Sequence, residues 1–255
     1  MFKRGFTIIE LMLSMTFISI LLIAVATLTI HMSNLYTRGI TMRQVSTAGQ
    51  ELANNIQRNI QSTQGIDLNN NYVVFMNNSV NPRVKRGQAA YDAMNDVNEA
   101  KKIMGGRLCV GGTTYAWNNG SYLKNFEAGG STDSPNVVDD KPVHLVKATG
   151  VNLCPSGNSL APFNSSSLDA ASSTEDLLSN GDRQLAIHKF LISSVTNKGL
   201  YSISFTIGTS DVDALESGSE SCKPPSDTDS DENYCSVNRF DVIARSIPQS
   251  GGVTP

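Results

Sequence analysis

Nothing in the sequence restricts the fold more than the run FTIIELMLSMTFISILLIAVATLTI, residues 6 to 30, in which Glu10 is the lone ionisable side chain. As a helix this run is about 37 Å long at ~1.5 Å per residue, enough to cross a bilayer core of about 30 Å. Lys3 and Arg4 precede it, so the positive-inside rule leaves Met1 in the cytoplasm and sends the chain beyond Ile30 across the membrane. Two simple explanations compete. A cleaved secretory signal would use the small residues Ala24-Val25-Ala26, yet Thr27-Leu28-Thr29-Ile30 carries the apolar run past them. A plain membrane anchor fits the length but gives no reason for Glu10. A carboxylate surrounded by hydrocarbon is costly, and such a residue is a functional candidate by default.

The stretch KRGFTIIELM supplies a reason. It resembles the class III leader of type IV prepilins and of the pseudopilins of type II secretion systems. The matching residues are the basic pair Lys3 and Arg4, Gly5 before the cut, Phe6 after it, and Glu10 five residues into the mature chain. The resemblance implies that a prepilin peptidase cleaves between Gly5 and Phe6 and methylates the new amine of Phe6. Gly5 leaves that bond unhindered, because glycine has no side chain. The resemblance also implies that Glu10 pairs, inside a filament, with the Phe6 ammonium of an adjacent subunit. A buried charge needs a counter-charge, and such a pair fixes register as a polar core residue does in a coiled coil.

The fold this implies is α+β, the type IV pilin fold. A long N-terminal helix, transmembrane in one half and amphipathic in the other, packs on an antiparallel β-sheet head. The implied partners are the prepilin peptidase, membrane lipid before assembly, the inner-membrane assembly platform, and other major and minor pilins through the helix. The chain is expected in the cell membrane as a single pass before assembly and in a cell-surface pilus afterwards. Many major pilins interrupt the apolar helix with Gly and Pro. Here no proline precedes Pro82, and the first glycine after the leader is Gly39, which points to a minor subunit. In size the head resembles the large minor subunits of the PilW/PulJ type. The expected function is that of a structural subunit in filament priming and assembly. A secretion pseudopilin, and a tip adhesin or DNA-uptake pilin that meets DNA or a host surface, are the alternatives.

The organisation that follows is a leader over 1–5, a membrane and assembly helix over 6–30, its amphipathic continuation over 31–64, and a head over 65–255. Val45, Ala48, Leu52, Ile56 and Ile60 recur at spacings of three and four, one apolar stripe with Arg43, Glu51, Gln57 and Arg58 off it. Gly39 and Gly49 read as points of slight bending, and the helix is expected to stop near Thr63 to Gly65. Tyr72–Met76 reads as a strand, Ala89–Met104 as a helix stopped by Gly105-Gly106, and Arg107–Val110 and Thr113–Trp117 as strands. Val143–Ala148 is a further candidate, and the polar stretch 150–182 is expected to be a long surface excursion. YSISFTI, residues 201 to 207, alternates apolar and hydroxyl side chains, the pattern of a half-buried strand. Gln184–Ser193 before it and Arg239–Arg245 after it complete an antiparallel meander. The tail PQSGGVTP reads as flexible.

The chemistry-bearing residues are few. The net charge of −3 gives no ground for strong non-specific nucleic-acid binding. Four cysteines in an exported segment read as two disulfides, with three pairings open. Cys222–Cys235, closing a short loop, is favoured, with Cys109–Cys154 as the second. Asp227, Asp229 and Asp231 alternate within that loop, as oxygen ligands for Ca²⁺ would. Glu232 and Asn238 stand where a helix–loop–helix calcium site needs Gly and Glu, so a solvated acidic loop is the stronger reading. Arg83, Lys85 and Arg86 form a basic stretch that could meet phosphate, although three charges without aromatics more often form ordinary surface. His31, His144 and His188 are scattered, and no HExxH, GxSxG or phosphate-binding glycine loop is present. The chain is expected not to be an enzyme, and no cofactor beyond Ca²⁺ is suggested.

Overall fold

A computed structural model of the chain describes residues 7–77, 79–127, 136–138, 141–154, 156–157, 163, 165–178, 184–196, 199–210, 214–216, 221–227, 230 and 234–247. Its spine is α1, Ile8–Gln61, a single helix of 54 residues and about 80 Å at ~1.5 Å per residue. Thr7 caps its start, and at its end the Ser62 amide reaches back to the carbonyls of Arg58 and Ile60. One 18-residue window of α1 has a mean hydropathy of 2.5, and none of it is buried. By length and composition this is one helix able to cross a membrane. Hydroxyls along it bond back to carbonyls of the preceding turn: Ser14 to Glu10, Thr16 to Leu13, Ser19 to Met15, Thr29 to Val25. These hydroxyl hydrogens are thus bonded within the helix, as lipid would require of a spanning segment.

Beyond α1 the chain builds α2 (Leu68–Asn71), β1 (Tyr72–Met76), β2 (Val84–Arg86), α3 (Gly87–Asn95) and α4 (Val97–Ala100). The hairpin β3 (Ile103–Val110) and β4 (Thr113–Asn118) leads into α5 (Gly120–Glu127). The short β5 (Val137–Val138) and β6 (Lys141–Pro142) precede β7 (Leu145–Thr149), α6 (Ser165–Leu168) and β8 (Ser173–Asp176). The final meander is β9 (Leu185–Thr196), β10 (Leu200–Thr209) and β11 (Val237–Arg245). Two antiparallel sheets dominate, one ordered β2-β1-β3-β4-β7-β8 and one ordered β11-β10-β9. The class is α+β, with a long N-terminal apolar helix packed on antiparallel sheet.

The core lies between α1 and the two sheets. Val45, Leu52, Ile56 and Ile60 of α1 meet Leu108, Tyr115 and Trp117 of the larger sheet and Phe190, Ile203 and Phe205 of the smaller. The stripe expected from spacing is the docking stripe, with Thr41 and Gly49 added to it and Ala48 at its margin. Each such buried aliphatic side chain contributes about 2 kcal/mol of transfer free energy. Gly49 lies in the docking stripe. It is a contact: a Cβ there would lie 2.0 Å from the Phe240 ring of β11. β11 runs beside α1 in the same direction, since Gln57 Nε2 donates to the Ile243 carbonyl at 3.3 Å and the Ile247 amide to Thr63 at 2.9 Å.

Two expectations are corrected. The helix placed over Ala89–Met104 ends at Ala100, after a break at Asp96, and Ile103-Met104 open β3. Gly105-Gly106 are not a stop signal but the middle of that strand. A Cβ on Gly105 would sit 2.3 Å from the Trp117 carbonyl oxygen, and one on Gly106 2.5 Å from its indole, so only glycine lets β4 lie so close. Within 150–182 the described part is not all excursion, because Ser173–Asp176 pairs with β7 as the outermost strand.

Candidate functional site

At the start of α1, Lys3, Arg4, Gly5 and Phe6 lie outside the described residues. Thr7 and Glu10 are described, and they form a reciprocal cap. The Glu10 amide donates to Thr7 Oγ1 at 3.3 Å, while the Glu10 carboxylate accepts from the Thr7 amide at 3.1 Å and the Thr7 hydroxyl at 3.0 Å. Two otherwise unpaired amides of the first helical turn are thereby satisfied. An acid in the first turn also complements the helix dipole. The signal is the spacing Thr7-Ile8-Ile9-Glu10, a T-x-x-E pattern set in an apolar run. Around it Ile8, Ile9, Leu13 and Phe17 are two-thirds or more exposed, so the site faces outward on every side.

The head carries both expected disulfides, Cys109–Cys154 and Cys222–Cys235. The first ties β3 to the loop after β7. The second encloses the acidic loop, of which Asp227 is described as an exposed turn residue. Asp229 and Asp231 lie outside the described residues, and among the described ones no group of three His, Cys, Asp or Glu side chains is placed to hold a metal ion.

The basic stretch is tied into the fold. Lys85 Nζ contacts Glu99 at 2.5 Å, and Arg86 Nε donates to the Gly157 carbonyl at 2.9 Å. His144 Nδ1 is 2.6 Å from the Leu185 carbonyl and His188 Nε2 3.0 Å from that of Thr209, both structural contacts, while His31 stands exposed on α1.

Sequence reasoning missed Arg107. It is 1% exposed, with Nε on Asn136 and Nη1 on the Leu153 carbonyl, and its guanidinium lies 5.0 Å from the Phe75 ring and 5.3 Å from that of Phe163. Burial pulls it down to about 9, which still leaves it charged at neutral pH. Its partners come from segments far apart in sequence, so no local pattern announces it. It pins Asn136, Leu153 and Phe163 onto the outer face of the larger sheet. A groove of about 680 Å³ opens beside β7 and β8, with Val138, Val143 and Leu168 as apolar walls and His144 and Glu175 among the polar ones.

Comparison with protein-family models, with curated proteins and with solved structures finds no match for this chain.

Proposed function

We propose that this chain is a structural subunit of a type IV pilus, a minor pilin that enters or primes the filament and performs no catalysis. One observation carries the reading: a single unbroken helix has a bare apolar half and a half docked on a disulfide-bonded head. The bare half is stored in lipid and then exchanges lipid for the helices of neighbouring subunits. While the subunit is alone, Glu10 is satisfied by Thr7. On assembly it turns to the Phe6 ammonium of the adjacent subunit, which sets the axial register. The leader residues Lys3, Arg4 and Gly5 serve the peptidase and are then removed.

Mass spectrometry of the mature N-terminus tests this directly. The expected product begins with N-methylated Phe6. A chain beginning at Met1 or at Thr27 would overturn the processing claim. Glu10→Ala should reach the membrane at normal levels and fail to enter filaments.

A further inference from the structure

The register of the larger sheet lines up Tyr115, Lys147 and Glu175 across β4, β7 and β8. α1 meets this row with two asparagines one turn apart. Asn59 Nδ2 donates to the Tyr115 hydroxyl, and Lys147 Nζ donates to Asn55 Oδ1 at 2.8 Å. Glu175 Oε2 stands 3.9 Å from the same Nζ. Tyr115 is fully buried and the Lys147 side chain is 19% exposed, whereas Glu175 is 58% exposed and borders the open groove. Burial raises the Tyr115 hydroxyl above its ordinary range, and the charge of Glu175 pushes the same way against the lowering bond from Asn59. The carboxylate therefore acts on a site that is dry on one side and wet on the other.

An amine, a carboxamide and a carboxylate in one chain of contacts are the three groups needed to join two side chains through an amide. We propose that Lys147 and Asn55 form an intramolecular isopeptide bond, with Glu175 as the proton shuttle. Glu175 takes a proton from the Lys147 ammonium. The freed amine attacks Asn55 Cγ, whose carbonyl oxygen Nζ already touches, and the Nζ–Cγ bond forms. As the Cγ–Nδ2 bond breaks, Glu175 returns its proton, the attacking nitrogen releases a second, and Nδ2 leaves as ammonium into solvent past the exposed Glu175. Glu175 ends as it began. One amide is exchanged for another, so neither oxidant nor cofactor is consumed. Holding the amine against the carboxamide replaces a bimolecular encounter with a unimolecular step. The bond would join residues 92 apart in sequence and fasten the docked half of α1 to the sheet.

The test is the mass of the full-length protein extracted from membranes, together with its tryptic peptides. Wild type should be lighter by one ammonia than its disulfide-bonded sequence, with a branched peptide joining the segments around Asn55 and Lys147. Lys147→Arg should restore the full mass and give linear peptides. Glu175→Gln, on an exposed strand and tolerable to the fold, should do the same. Linear peptides from wild type overturn the proposal, and a branched peptide that persists in Glu175→Gln overturns the role given to Glu175.

Discussion

The two halves of α1 are continuous in backbone and opposite in circumstance. From Ile8 to Tyr36 large apolar side chains stand open all around the helix, among them Ile8 at 80% and Tyr36 at 72% exposed. From Thr41 to Ile60 only one stripe is apolar, and it is closed by β10, β11 and the core behind them. The first half is greasy in every direction and uncovered by the head; the second is greasy in one direction because the head covers only that side. The glycines mark the same contrast. Gly49 is required by Phe240, whereas a Cβ on Gly39 would meet nothing within 4 Å.

The comparison is broken most severely at Gly49. Gly49→Leu drives a side chain into the Phe240 ring and should lower the stability of the head by about 3 kcal/mol or prevent folding, read as loss of the thermal transition while membrane retention persists. Leu52→Ala should cost about 2–5 kcal/mol through the cavity it leaves, while Leu21→Ala in the bare half should leave the melting temperature of the head unmoved; equal losses would mean the halves are not independent. Gly39→Ala, in protein held monomeric in detergent, should raise helix stability by up to about 1 kcal/mol, and a loss instead would reveal a contact at that height.

The smallest effect lies at Asp96, which caps α4 by accepting from the amides of Asn98 at 2.8 Å and Glu99 at 3.0 Å. The Glu99 and Asn98 amides hold its carboxyl below the usual carboxylate range. Its folded value is depressed, so its contribution is present above the unfolded value of about 3.9 and fades as pH falls through the folded one. Asp96→Asn should flatten that acid limb slightly, and an unchanged limb would remove Asp96 from the account.

Much of this was legible in the sequence, for identifiable reasons. The first half of α1 follows from its continuous apolar run, and the stripe Val45–Ile60 from periodicity, which reports burial directly. The meander β9–β10–β11 was legible because YSISFTI alternates. Ile103-Met104 was misplaced because a helical pattern upstream continued into it, and the two glycines after it have their meaning only through Trp117 on the neighbouring strand. The Thr7–Glu10 cap was readable from spacing alone. Arg107 with Asn136, and Lys147 with Asn55, were not, since each pair joins segments that only the tertiary fold brings together.

The strand that lies along α1 is β11, the last described strand in chain order, and the residues just beyond it touch Thr63 through Ile247. Without β11 the Phe240 ring would no longer close over Gly49, and Gln57 would lose the Ile243 carbonyl. The spine is thus fastened by contacts between residues 186 apart in sequence, so the docked half of α1 and the head melt as one unit.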